Sequence, residues 1–478
     1  MLSKYDVTIG LEVHVELATK SKIFCGCSTA FGAKPNTHTC PVCIGMPGSL
    51  PVLNKKVLEY AMAVGLATNC DITRFSKFDR KNYFYPDNPQ NYQISQLYMP
   101  ICRNGFVEIN TCAGNKKIGI HEIHMEEDAG KLIHDEITGN SYVDYNRSGV
   151  PLIEIVTEPD MSSEVEVVTF LEKLRLIIQY LEASDCKLNE GSMRVDVNLS
   201  VKRRGETELG TRTEMKNLNS FKAITRAIEN ESSRQISMIE NGKKIHMETR
   251  RWDDIKGCSF SMRSKEDARD YRYFPEPDVL PVMISDEWIS KVISNQPEFK
   301  DEKMERYIKE YGIPKYDADI ITSTKHMAGV FEKAVELGGD PKKISNFLMG
   351  ETMRLLKDRN MEADKINFSP KNLVRLIKLV DDGVINGNIA KEVFEKIFDE
   401  DVDPHEYVER QGLKMESDEE WLLAVIKDVI ENNTQSVSDY KNGKERALGF
   451  LIGQIMKETS GKANPAMVRK LLLENLQG

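Results

Sequence analysis

Asp6-Val-Thr-Ile-Gly-Leu-Glu-Val-His-Val-Glu-Leu17 (DVTIGLEVHVEL) alternates: Leu11, Val13, Val15 and Leu17 share one parity, and Glu12, His14 and Glu16 the other. Successive side chains of a strand point to opposite faces, so this stretch reads as a strand with one apolar and one ionisable face. GFVEINT (105–111), PLIEIVTEP (151–159) and MRVDVNLSVK (193–202) are further short alternating or apolar runs between Gly, Pro and Asn turns. Residues 1–294 are therefore expected to form a mixed or antiparallel sheet with helices, an α+β domain. Helical periodicity interrupts the strands at 54–68 and 162–183, with Ser162 and Ser163 as N-cap candidates for the second.

Beyond DYRYFPEPDVLPVMI (270–284) the strand signals cease. The rest is charged and helix-forming, punctuated by Pro297, Pro314, Pro341, Pro370, Pro404 and Pro465 at helix-hairpin intervals. The spacing predicts a helical domain over 295–405 and a small helical tail domain over 406–478. A chain of 478 residues with 40% hydrophobic content is long enough for such a division.

A formal charge of −10 excludes a uniformly basic nucleic-acid binder. No basic leader precedes an apolar run, and no stretch of about 18 apolar residues occurs, so the reading is a cytoplasmic protein without a membrane segment. Nine cysteines, an odd number, fit a reducing compartment with some thiolates given to metal. Cys25-Gly-Cys27 and Cys40-Pro-Val-Cys43, twelve residues apart, could close a tetrahedral structural zinc site; the alternative is four unliganded cysteines. His38, between the pairs, reads as an exposed loop histidine.

The face carrying Glu12, His14 and Glu16 serves either solvent or a cation. Further polar clusters follow in His121-Glu-Ile-His124-Met-Glu126-Glu127-Asp128 and in the run that places Glu154 among Leu152, Ile153, Ile155 and Val156. A carboxylate in so apolar a strand needs a partner, and carboxylates with an imidazole suit Mg²⁺ or Mn²⁺. Residues 77–96 (KFDRKNYFYPDNPQNYQISQ) are too polar for ordinary core. Lys77, Arg80 and Lys81 could meet phosphates, and Asn82, Tyr83, Tyr85, Asn88, Tyr92 and Gln93 could line a polar pocket; the alternative is a hydrated loop. Walker, dinucleotide and nucleophile-elbow motifs are absent. Residues 441–470 hold seven Lys and Arg against two Glu, a net +5 that serves either an RNA backbone or a solvated helix face.

Six motifs, GLEVHVEL (10–17), KFDRKNYFYPDNP (77–89), HMEEDAGK (124–131), PLIEIV (151–156), EMKNLNSF (214–221) and DYRYFPEPD (270–278), together resemble the B-subunit (GatB/GatE) family of tRNA-dependent amidotransferases. The tail GKERALGFLIGQIMKETSGKANPAMVRKLL resembles that family's small RNA-binding domain. The resemblance implies a ligase that uses ATP to phosphorylate the side-chain carboxylate of Glu-tRNA(Gln) or Asp-tRNA(Asn), then amidates it with ammonia. It implies catalytic and magnesium-binding roles for Glu12, His14, Glu127 and Glu154, with Glu126 as a neighbouring candidate. It also implies misacylated tRNA(Gln) or tRNA(Asn) as substrate, a glutaminase A subunit and a small C subunit as partners, and a structural zinc held by some family members only. A non-catalytic zinc-ribbon RNA binder would leave Glu154 unexplained, and a stand-alone ligase would need no partner.

Overall fold

The computed structural model describes residues 4–135, 137–264, 271–415, 419–459 and 461–477. It divides into a unit ending at Phe299 and a unit beginning at Lys300. The first unit is built on a nine-stranded sheet in the order Cys258–Ser264, Glu248–Asp253, Thr213–Lys216, Met193–Arg203, Tyr5–Glu16, Pro151–Thr157, Gly114–Glu127, Cys102–Thr111, Asp71–Ile72. The decisive strand, Tyr5–Glu16, is thus the central one. Its neighbours run antiparallel to it, and among the described residues the one parallel pair is Thr213–Lys216 with Glu248–Asp253. The α+β expectation holds, with a mixed sheet.

Alternation sorts the two faces. Leu11, Val13 and Val15 join Ile153, Ile155, Val195 and Val197 in one core, packed against Val57, Val64, Val167, Phe170, Leu174 and Ile224 of three helices. Those helices are Lys55–Ala67, Glu164–Tyr180 and Phe221–Glu240. Burying each such aliphatic side chain contributes about 1.5–3 kcal/mol, which fixes the register of every strand. Of the two cap candidates, Ser163 is the N-cap: its hydroxyl accepts from Glu166 N at 3.2 Å, while Ser162 N donates back to the Glu166 carboxylate at 2.7 Å. Asn54 and Ser220 cap the other two helices in the same way.

A small three-stranded sheet, Phe274–Pro275, Asp79–Asn82 and Tyr92–Ser95, folds the 77–96 segment into a hairpin pinned by the DYRYFPEPD motif. Among the described residues the second unit is entirely helical. Pro341 and Pro370 open the helices Pro341–Phe347 and Pro370–Asp381, and Pro404 opens Pro404–Arg410, each free of the amide that a first turn leaves unpaired. The unit has two cores: one joins Phe331, Leu348, Leu376 and Phe394, and the other joins Leu422, Ile426, Leu451, Ile455 and Leu472. No described helix is long and apolar enough to cross a membrane.

Candidate active site

On the face away from the helices, register alone assembles a row of ionisable groups. His14 stands opposite Glu154, and Glu154 opposite His124, across three adjacent strands. Glu154 Oε2 lies 3.2 Å from His14 Nε2 and 3.1 Å from His124 Nε2. Glu126, two residues beyond His124 on the same face, lies 3.6 Å from His14 Nε2, and Glu122 lies 3.4 Å from His124 Nδ1. Burial opposes the ionisation of Glu154, but the two imidazoles overcome it and hold the carboxyl well below the usual range. Burial likewise opposes protonation of His124, yet Glu154, Glu122 and Glu126 push its pKa up to about 10. The donor atoms of His14, Glu126 and Glu154 all lie within 4.8 Å of one another. Imidazole nitrogen with carboxylate oxygens is a ligand set that fits a hard divalent cation.

Glu12 belongs to an adjoining cluster rather than to this trio. Its carboxylate accepts from Asn198 Nδ2 at 3.0 Å and gathers with Asp196 and Glu214. Burial raises its pKa, and Glu154 and Glu214 raise it further. Lys216 pairs with Asp196 and, at 3.0 Å, with Glu214. Thr249 extends the row by donating to Glu214 at 2.8 Å.

Lys81, on the small hairpin, faces these carboxylates. Burial works against its charge, but Glu126 first, then Tyr273 and Glu154, keep it protonated. Its Nζ lies 5.1 Å from the ring centroid of Tyr271, and Tyr83, Tyr271 and Tyr273 stack edge to face at 6.5 and 6.1 Å. Arg80 instead braces the hairpin. It forms a bidentate pair with Glu276 at 2.6 and 3.0 Å, reaches Asp278 at 2.9 Å and covers Tyr92 at 4.1 Å. Asn82 ties the hairpin to Tyr271 O and Arg272 O, Asn88 closes a turn on Tyr83 O, and Gln93 donates to Glu127 O. These groups spend their hydrogen bonds on the frame. Tyr85 is exposed and Lys77 half-buried.

The structure does not bring Glu127 to the His14 cluster. Adjacent residues of a strand point apart, so Glu126 faces the imidazoles and Glu127 the other side. There its carboxyl accepts from Gln90 Nε2 and from Ile94 N and lines a cavity of about 370 Å³ with Tyr92, Asp278 and Cys43. Burial pushes its pKa up to about 8.

Cys25, Cys27, Cys40 and Cys43 bring all four sulfurs within 4.8 Å of one another. Cys43 Sγ accepts from Cys40 N at 3.2 Å. Its thiol is held down to about 4, chiefly by a hydrogen bond from Cys25, whose own pKa is pushed well up by that bond. Four convergent sulfurs fit a closed zinc shell. His38 is half-buried rather than exposed and is not among the four.

Sequence reasoning passed over His124, Asp196, Glu214 and Lys216 as site residues. The signal was present: His124-Met-Glu126, Asp196-Val-Asn198 and Glu214-Met-Lys216 all alternate as Glu12-Val-His14 does. Nothing in one sequence says which strands are neighbours.

Residues 7–290 match the family described as the GatB/GatE catalytic domain, and 329–476 match the GatB domain. The chain is similar to the B subunit of the Aspartyl/glutamyl-tRNA(Asn/Gln) amidotransferase of Agathobacter rectalis, with 67% identity over 99% of this chain and 100% of the relative. The proteins of the same name from Lachnospira eligens (63%, covering 100% of both chains) and Caldicellulosiruptor bescii (57%, 99% of both) are similar over the same span.

Proposed function

We propose that this chain, which belongs to the GatB/GatE family, is the amidating subunit of a tRNA-dependent amidotransferase. It acts on glutamate carried by tRNA(Gln), aspartate carried by tRNA(Asn), or both. The observation that carries the reading is the array of half-buried His14 with buried Glu126, Glu154 and His124 facing Lys81, in a chain matched end to end by relatives of that name.

A carboxylate oxygen is a poor leaving group, so the side chain must first be activated. The γ-phosphoryl group of ATP passes to a carboxylate oxygen, leaving ADP and an acyl phosphate. Ammonia then attacks the acyl carbon; the C–N bond forms, the C–O bond to phosphate breaks, and a proton leaves the nitrogen. His14, Glu126 and Glu154 would hold magnesium, which supplies positive charge to the phosphate oxygens. Lys81 meets the same oxygens from the hairpin side, and its burial strengthens that attraction. Arg80, locked to Glu276, sets the hairpin that carries Lys81. His124 is a positioning residue that fixes Glu154. Glu127, in its own cavity, stands outside the magnesium set.

Residues 1–294 carry the chemistry, 295–405 form a helical domain and 406–478 bind tRNA. Arg446, Gly449, Phe450, Gly453 and Lys457 are exposed at the spacing of one helix face, with cations at both ends and two glycines and a phenylalanine between, suited to an RNA backbone. Ammonia comes from a glutaminase A subunit, with a small C subunit completing a cytoplasmic assembly. The cysteine quartet holds a structural zinc.

The test is amidation of Glu-tRNA(Gln) by ammonium chloride, with ATP and the partner subunits each present or withheld. Amide formation that requires both ATP and this chain supports the reading. Amide formed without ATP, or without this chain, overturns it.

A further inference from the structure

Lys22 is fully buried, at 0% exposure, although it carries an ammonium group. Its Nζ donates to His38 O at 2.8 Å and Tyr145 O at 3.3 Å, and among the described residues no carboxylate forms an ion pair with it. A buried cation whose hydrogen bonds go to carbonyl oxygens is costly, so a negative charge nearby is the physical requirement. The neighbour that meets it is the cysteine quartet. Lys22 N donates to Cys27 O at 3.0 Å, inside the cysteine loop. A Cβ built on Gly149 would touch Cys43 Cβ and Lys22 Cδ, each at 3.5 Å, so the lysine stem and Cys43 line the same wall.

We propose that Lys22 is the charge-compensating residue of the four-cysteine centre. The inference rests on reading that centre as a zinc site. Four thiolates around Zn²⁺ leave a net charge of about −2 at a centre whose Cys43 is buried and whose other three cysteines are half-buried. Lys22 offsets part of it without occupying a coordination position, while the Cys40 amide takes a further share at Cys43. The lysine also joins the centre to the chemistry. Tyr145 O, which it holds, begins the segment in which Ser148 Oγ donates to Cys43 O at 2.8 Å and Gly149 N donates to Asp128 O at 2.9 Å. Asp128 directly follows Glu126 and Glu127.

The experiment measures zinc transfer from the purified full-length chain to a colorimetric chelator. It compares wild type, Lys22→Met, Lys22→Gln, Cys27→His, and Cys27→His combined with Lys22→Met. Gln keeps a donor for the two carbonyls but not the charge, so both Lys22 variants should lose zinc about 10- to 100-fold more readily, the usual size of an outer-shell effect. A Lys22→Gln protein that holds zinc as the wild type does overturns the proposal. Cys27→His lowers the centre's negative charge by one, so the Lys22→Met effect should shrink at least threefold in that background. An equal effect in both backgrounds reduces Lys22 to a backbone clamp and overturns the charge role. If Lys22→Met is insoluble, its rescue by Cys27→His supports the proposal and insolubility in both backgrounds overturns it. A wild type with under half an equivalent of zinc removes the centre and this inference together. Full zinc with indifferent variants removes the inference alone.

Discussion

Replacing Glu154 by Gln keeps the shape of the side chain and removes its charge at the point where three strands converge. The carboxylate makes two charge-assisted contacts, 3.2 Å to His14 and 3.1 Å to His124. A hydrogen bond to a charged group contributes about 1.5–3 kcal/mol and a neutral one about 0.5–1.5, so neutralising two costs roughly 2–3 kcal/mol. The same oxygens are the ones offered to a cation, so a loss of that size should appear as barrier height. About 2.7 kcal/mol corresponds to a hundredfold fall in the rate of acyl-phosphate formation. The assay follows ADP release and Gln-tRNA formation separately, with ammonium chloride as nitrogen source and Mg²⁺ varied, so that the two half-reactions are told apart. Glutaminase turnover by the partner in the absence of tRNA should be unchanged. Normal ATP cleavage with only the amide step lost would refute the reasoning, because Glu154 would then act on ammonia rather than on phosphate.

Lys81→Met should raise the KM for ATP at least tenfold while leaving the unfolding temperature within about 2 °C, since this lysine supports bound phosphate rather than the fold; a large loss of stability with unchanged KM would contradict that. Glu231→Ala should destabilise the first unit by about 3–5 kcal/mol in guanidinium unfolding, because a fully buried carboxylate accepting from Thr213, Gln235 and Arg234 disappears and takes from the Arg234 guanidinium its nearest counter-charge. An unmoved midpoint would show that the network contributes nothing. Reversing Arg446 and Lys457 to Glu should raise the KM for tRNA and flatten its salt dependence by about one unit per lost phosphate contact, with ATP cleavage kinetics intact. Unchanged tRNA affinity at physiological salt would move the RNA contact off this helix.

The fold was legible wherever a local period decides it. Tyr5–Glu16 and Met193–Arg203 lie on stretches whose alternation marks them as strands, Pro151–Thr157 on a short apolar run bounded by turns, and Glu164–Tyr180 begins after Ser163, one of the two serines expected to cap it. The site was legible in kind and less so in membership. Glu154 drew attention because a carboxylate stood in an apolar run, and it proved to sit between two histidines. His124 stood out only as part of a polar cluster and not as a site residue, because its partner is 30 residues away in sequence and across a strand pair in space. In the 77–96 segment, residue type misled. Arg80 and Lys81 are adjacent cations of equal promise in sequence, but the strand turns them to opposite sides, one to Glu276 and one to Glu126 and Glu154. Only the DYRYFPEPD segment, some 190 residues later, decides which is structural.

That division follows from where the charges sit rather than from how many there are. A central strand has neighbours on both sides, so each ionisable group on its polar face meets partners from two directions, as His14 meets Glu154 on one side while Glu12 meets Asn198 on the other. The opposite face is saturated with aliphatic packing and cannot yield, so a one-residue slip would bury Glu12, His14 and Glu154 among the helices and expose Val13 and Ile155. The energy that holds the hydrophobic register therefore also holds the geometry of the proposed site. Arg80 extends the argument to the hairpin. It lies outside the sheet's register, so a bidentate ion pair on a fully buried carboxylate does for Lys81 what aliphatic packing does for His14.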